Sequence, residues 1–133
     1  AKRDLLIQLR DRLQAAIRED AAAYDAVIQS AKRPVIDPER GAAITEAFSI
    51  AIAVPLAITE LAVNGMEVLR ELIPLSTAPL AADLRAGVFA AQAAGEGALA
   101  CVKANLDSLK DDPRVPDLLK RLAPYEEHLR QRP

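Results

Sequence analysis

Apolar side chains recur every three to four residues over the first thirty positions, the spacing of an amphipathic helix. Six of them share one side of a helix predicted from about Arg3 to Lys32: Leu6, Leu9, Leu13, Ile17, Tyr24 and Val27. Pro34 breaks this helix, and the pair Asp37-Pro38 has the form of an N-cap followed by a first-turn proline. We therefore predict a loop over residues 33–37 and a second helix that begins at Pro38.

The second predicted helix runs from Pro38 to about Ile73, and its first half is apolar almost all round. That pattern is typical of a central, buried helix. We expect Pro55 to kink it, because the proline ring removes one backbone hydrogen bond and clashes with the preceding turn. A turn over residues 74–79 ends the helix.

The third predicted helix runs from about Leu80 to Lys110, with one charged stripe opposite small apolar residues. The stripe consists of Arg85, Gln92, Glu96, Lys103 and Lys110. A shorter amphipathic segment covers 116–130, and we expect Pro124 to interrupt it. The pattern predicts an all-α fold, an antiparallel bundle of long helices, and no β-sheet.

A chain of 133 residues fits one domain with its own core. Alanine accounts for 27 residues and aromatic residues for 3%, which predicts close helix–helix contacts and a core that a partner subunit completes. The chain begins at Ala1 and enters helix almost at once. We interpret residues 1–133 as a single helical domain that is incomplete at its N-terminus.

Charge and composition exclude several classes of function. The net charge of −2, with Lys and Arg spread along the chain, predicts no nucleic-acid or anionic-membrane partner. The most apolar stretch, 47–59, is too short to span a bilayer and contains Pro55, so we interpret it as core. One cysteine and one histidine predict no disulfide and no metal site, and favour the cytoplasm.

Two aspartates lie on faces that the pattern predicts to be buried. Asp20 projects to the centre of the apolar stripe of the first helix, where its carboxylate would be desolvated, hydrogen-bonded or both. Such groups cluster at active sites, although a buried aspartate satisfied by a neighbouring helix gives the same pattern. Asp83 projects opposite the charged stripe of the third helix, and the alternative for it is a capping role in the first turn.

Other polar residues carry weaker signals. Asn105 is interpreted as a buried hydrogen-bonding residue, Glu60 as solvated, Cys101 as a small core residue and His128 as a surface histidine. No Glu-x-x-His pair and no glycine-rich phosphate loop occurs in the sequence.

Together these segments resemble a known family. They are Asp20-Ala-Ala-Ala-Tyr24-Asp-Ala-Val27, then Val54-Pro55-Leu56 with Glu60, then Asp83, and then 98–111 with Asn105. In order and spacing, from about Leu9 to Asp111, they are similar to the formiminotransferase-cyclodeaminase/methenyltetrahydrofolate cyclohydrolase family. The resemblance implies an all-helical homodimer, with a tetrahydrofolate derivative as substrate and no tightly bound cofactor.

The resemblance also implies roles for individual residues. Asp20 matches the proposed catalytic aspartate, and Tyr24 lies in the same motif. Asp83, Asn105 and Glu60 would line the folate pocket, while Arg33 would meet the glutamate tail on charge alone. The implied reaction closes 5-formiminotetrahydrofolate to the 5,10-methenyl form with loss of ammonia, or adds water to the methenyl form. A desolvated Asp20 acting as general acid and base suits both reactions.

Several family positions differ here. The Pro-Gly-Gly-Gly-Ser segment before the first helix is not in the sequence, and altered positions include Val35, Ser76-Thr77, Ala82 and Cys101. Each change removes a charge, a donor or an acceptor. A second hypothesis is therefore a non-catalytic helical module that dimerises or binds a ligand, and a third is a plain scaffold bundle.

Overall fold

The computed structural model describes residues 1–131, and four α-helices account for most of them. These are α1 (Lys2–Ala31), α2 (Arg40–Leu72), α3 (Ala78–Ser108) and α4 (Val115–Arg130), with a 3-10 turn over Ile73–Leu75 after α2. The helices pack antiparallel, and no strand occurs among residues 1–131. The predicted all-α antiparallel bundle is confirmed.

Two predicted boundaries were wrong. Helix α2 begins at Arg40 rather than Pro38, because the Asp37 carboxylate accepts a hydrogen bond from the Glu39 N–H at 2.9 Å and closes a turn before the helix. The Arg40 guanidinium then donates to the carbonyls of Arg33 and Ala31, at 3.0 and 3.2 Å, which fixes the loop to the end of α1.

Helix α4 continues through Pro124, so the predicted interruption was also wrong. Leu122 and Leu129, on either side of the proline, are almost fully buried. Burying two leucines offsets the loss of one backbone hydrogen bond. His128 Nδ1 lies 2.8 Å from the Pro124 carbonyl oxygen.

The hydrophobic core lies between α2, α3 and α4. Its buried members are Ile52, Leu56, Val63, Met66, Val88, Leu99, Val102, Leu106, Leu122 and Leu129. The helices meet closely at Gly95, where an added Cβ would lie 2.7 Å from Leu129 Cδ2 and 3.3 Å from Ala62 Cβ. We refer to this side of α2 as the closed side.

Helix α1 packs on α2 and does not contact α3. Its four buried residues are spaced seven apart, at Leu9, Ala16, Ala23 and Ser30, so only a narrow stripe is covered. Helices α1 and α3 therefore flank α2 and leave a groove between them. We call it the open groove; α2 is its floor, and Leu13, Asp20 and Tyr24 of α1 form one of its walls.

Helix α2 runs unbroken through Pro55. Because proline has no N–H, the carbonyl of Ala51 lacks its intrahelical donor. The Asn105 side chain of α3 supplies the replacement, with Nδ2 donating to that carbonyl at 2.8 Å. The interpretation of Asn105 as a hydrogen-bonding residue inside the fold is confirmed, while a kink at Pro55 stays a prediction.

The segment Arg40–Leu75 is long and apolar enough to cross a membrane by length and composition. A central core helix passes the same test, and α2 is the one helix that contacts α1, α3 and α4. The interpretation of α2 as a core helix therefore explains its apolar character without a bilayer.

Candidate functional site

The open groove contains two cavities that share one residue. The larger, about 630 Å³, is lined mostly by apolar side chains of α1 and α2, with Arg10 and Gln14 at its polar edge. The smaller, about 380 Å³, lies nearer the C-terminal ends of α1 and α3. Asp20 lines both cavities. Its carboxylate is therefore the charged group at their junction.

The smaller cavity brings together three of the predicted site residues. Asp20 and Tyr24 reach it from α1, one turn apart, and Asn105 reaches it from α3. Phe48 and Cys101 contribute apolar and sulfur atoms to the same lining. A volume near 380 Å³ falls within the range of small-molecule sites, which bury an apolar ligand and orient it with a few polar groups.

The prediction that Asp20 is buried was wrong, because its side chain is exposed. The apolar stripe of α1 faces the groove, which α3 does not close, and Ile17 and Tyr24 on that stripe are 70% and 66% exposed. Within residues 1–131 the Asp20 carboxylate has no ion pair and no side-chain hydrogen bond. It is therefore available to a ligand or to a partner group.

Cys101 is exposed rather than part of the core, and Asp83 is exposed on the same face of α3. Because α3 begins at Ala78, Asp83 lies beyond its first turn and the alternative of a cap was wrong. Asp83 and Cys101 are separated by five helical turns, or about 27 Å. Within one chain, Asp83 is therefore not part of the cavity that Asp20 lines.

Glu60 lies on the α4 side of α2, away from the open groove. Its carboxylate accepts hydrogen bonds from the Tyr125 hydroxyl at 3.2 Å and the Arg121 guanidinium at 3.4 Å. Burial, with the Glu60 charge next to the hydroxyl, raises the pKa of Tyr125. Glu60 thus connects α2 to α4, and the chain fold does not bring it together with Asp20.

Arg33 lies in the loop between α1 and α2 and is also outside both cavities. Its guanidinium pairs with Asp37 at 3.5 Å and with Glu39 at 3.8 Å. His128 is at the surface, as predicted, with Nε2 3.1 Å from a Glu67 carboxylate oxygen. Among residues 1–131, no group of three His, Cys, Asp or Glu side chains could hold a metal ion.

The sequence analysis did not single out Arg10 or Gln14, which provide the polar edge of the larger cavity. A signal was present, since both residues follow the helical spacing of Leu6, Leu13 and Ile17. It also passed over the connection between α3 and α4. There the guanidinium and backbone N–H of Arg114 hydrogen-bond the Asp112 carboxylate and hold its pKa at about 2.

A family model described as formiminotransferase-cyclodeaminase matches residues 3–124. The chain belongs to the formiminotransferase-cyclodeaminase family. No curated protein and no solved structure matches the chain. The family match covers all of α3 and nearly all of α1, and so includes both walls of the open groove. It confirms the resemblance that the motifs around Asp20 and Asn105 predict.

Proposed function

We propose that this chain is a folate-dependent cyclodeaminase or cyclohydrolase domain, with Asp20 of the open groove as its general acid and base. One observation carries the proposal: in a member of this family, the aspartate of the matching motif lies at the junction of two cavities of ligand size. The substrate is a tetrahydrofolate derivative, no tightly bound cofactor takes part, and the domain acts as a cytoplasmic homodimer.

The lining of the groove supports an elongated, partly aromatic ligand. The larger cavity is apolar, with Leu13, Ile17 and Leu61 along its walls, and it suits the flat rings of such a ligand. Arg10 at its edge is a cation that would accept a carboxylate group of the ligand. Asp20 lies between the two ends, where the reacting carbon would need a proton carrier.

The proposed step requires one proton to move between two nitrogens. In the cyclodeaminase reaction, N10 of the folate attacks the formimino carbon, loses its proton, and the amino group leaves as ammonia. A carboxylate beside that carbon takes the proton from N10 and gives it to the leaving nitrogen. In the cyclohydrolase reaction the same group would take a proton from the attacking water and return one to N5.

The test is Asp20→Asn, which keeps the shape of the side chain and removes its proton-transfer capacity. We expect turnover to fall by at least about a hundredfold, which is the low end for loss of a general acid–base group. Formation or loss of 5,10-methenyltetrahydrofolate is followed by its absorbance. Because Asp20 is exposed and has no ion pair in the described part of the chain, helicity and Tm should remain unchanged.

Asp25→Asn is the matched control, since Asp25 is an exposed carboxylate on the same helix, five residues further on and about 140° away round the helix. It should retain full turnover. Loss of Tm in Asp20→Asn with turnover retained would assign Asp20 to structure and would contradict the proposal.

A second candidate, a ligand-binding module without catalysis, is favoured by two observations. The Asp20 carboxylate is exposed in the single chain, and one N–H of the Asn105 amide is already committed to the Ala51 carbonyl. This candidate predicts that a reduced folate binds, with a calorimetric signal, while the methenyl absorbance stays constant. A scaffold bundle predicts no binding.

A further inference from the structure

We propose that two copies of this chain pack α3 against α3 about a two-fold axis, and that the partner's Asp83 thereby enters the cavity of Asp20, Tyr24 and Asn105. The inference rests on the proposed function for the role of the cavity, but not for the packing itself. It identifies the second copy as the cover of the open groove and assigns one site to residues of two subunits.

One face of α3 is unusually suited to another helix. Within a 120° arc centred on Cys101, its exposed residues are almost all small: Ala86, Ala90, Ala94, Gly97, Cys101 and Ala104. Asp83 is the only charged residue in that arc of α3. An added Cβ at Gly97 would meet nothing within 4 Å, so the face is open to solvent in the single chain. Small side chains let two helices approach closely.

The area that the chain exposes indicates a second copy as the occupant. A folded monomer of 14.3 kDa is expected to expose about 6,800 Å². This chain exposes 8359 Å². The excess of about 1,500 Å² is larger than the roughly 800 Å² that each partner contributes to a standard interface, and reaches the range of obligate dimers. Exposed Ile17, Tyr24 and Phe89 provide large apolar side chains for it.

A two-fold axis through the middle of this face determines which residues meet. Asp83 and Cys101 are eighteen residues apart, five turns of an α-helix, so both point the same way. An axis that crosses α3 midway between them, between Ala90 and Ala94, places the partner's Asp83 against Cys101 of this chain. Isologous packing repeats the contact on the other side.

The consequence concerns the smaller cavity, because Cys101 lines it together with Asp20, Tyr24 and Asn105. In one chain, Asp83 lies about 27 Å along the helix from Cys101. In the dimer, the only charge on the small face of α3 reaches the wall of the cavity. The partner's α3 also lies over the groove and removes the Asp20 carboxylate from bulk water, which strengthens its interaction with any bound ligand.

Cross-linking tests the packing without any activity measurement. Asp83→Cys, with native Cys101 retained, should give a covalent dimer when treated with a short bismaleimide at low protein concentration. Wild type, with Cys101 alone, and the double variant Asp83→Cys/Cys101→Ser, with only the introduced thiol, should not, because like positions lie about 27 Å apart across the axis. Arg85→Cys is the matched control at the same height on the opposite face of α3, and should also remain uncross-linked.

The outcomes separate cleanly. Cross-linking that depends on both the thiol introduced by Asp83→Cys and the native Cys101 thiol supports the packing. A chain that sediments as a monomer, or that cross-links equally well through Arg85→Cys, overturns it. Circular dichroism of each variant verifies folding, and the sedimentation of wild type tests the dimer even where a variant fails to fold.

Mixed dimers test the shared site. Asp20→Asn and Asp83→Asn chains should each lose at least about tenfold in turnover as homodimers. When they are refolded together in equal amounts, each mixed dimer regains one intact site, so activity should return to about a quarter of wild type by random assortment. No recovery in verified mixed dimers would place both residues in one subunit's site and overturn the inference. If cross-linking succeeds while wild type turns over no folate, only the proposed function fails.

Discussion

The two sides of α2 differ in what covers them. On the closed side, Met66 and Leu56 are buried under α3 and α4, and Leu122 and Leu129 are less than 3% exposed. On the open groove, Ile17 and Tyr24 are equally apolar residues, but more than 60% of each is exposed. The difference teaches that the closed side holds this chain together, while the groove side is left for a ligand and a second copy.

The largest expected effect comes from deleting side-chain volume on each side. Leu129→Ala should lower the free energy of unfolding by about 3 kcal/mol, since it opens a cavity in the packed core. Ile17→Ala in the groove should cost less than about 0.5 kcal/mol in an isolated chain. Urea denaturation measures both values. A cost for Ile17→Ala that grows with protein concentration would show that a second copy covers the groove.

A smaller effect is expected where the two sides meet, at Asn105. Asn105→Ala should cost about 2 kcal/mol, because the Ala51 carbonyl loses its only donor. In a Pro55→Ala background the backbone N–H is restored, and the same substitution should cost less than about 1 kcal/mol. A double-mutant cycle by chemical denaturation gives the coupling. Equal costs in both backgrounds would show that Asn105 stabilises the fold through other contacts.

Two glycines of α3 provide a matched pair with an expected effect near 1 kcal/mol. Gly95→Ala should destabilise by about that amount, because the new Cβ would lie 3.3 Å from Ala62 Cβ and closer still to Leu129. Gly97→Ala should stabilise an isolated chain by up to about 1 kcal/mol through helix propensity, since it meets nothing within 4 Å. Thermal and urea unfolding compare the two. If both are stabilising, α3 packs less closely on the closed side than described.

The smallest expected effect is at the connection that leads into α4. The pKa of Asp112 is held at about 2 by Arg114. A depressed folded pKa adds stability above the unfolded value near 3.8, and that stability is lost as the pH falls toward 2. Arg114→Gln should return the pKa toward 3.8, as measured by carboxyl NMR titration. An unchanged Asp112 pKa in that variant would mean that the backbone N–H of residue 114 alone sets it.

Periodicity alone was sufficient to predict the four helices and their antiparallel order, because long amphipathic segments joined by short loops have few other arrangements. It also located Asp20 on the stripe that faces the groove. It did not locate Asp20 relative to water. A sequence pattern shows which residues share a face, whereas burial depends on whether another helix covers that face.

The remaining errors have local causes. Pro124 was expected to interrupt a helix that tertiary packing of Leu122 and Leu129 maintains. The start of α3 was predicted two residues too late, and this error supported a capping role for Asp83. The positions of Glu60 and Arg33 outside the groove depend on which neighbouring side chains they pair with, and spacing does not specify such pairs.

The bond from Asn105 to the Ala51 carbonyl also determines how α2 and α3 are aligned along their length. Every other carbonyl in that part of α2 already has a donor within its own helix, so a shift of α3 by one turn, about 5.4 Å, would leave the amide and the carbonyl both unmatched. A single proline thus gives two otherwise smooth, alanine-rich surfaces one preferred register. The heights at which Cys101 and Asp83 stand above the groove follow from that choice.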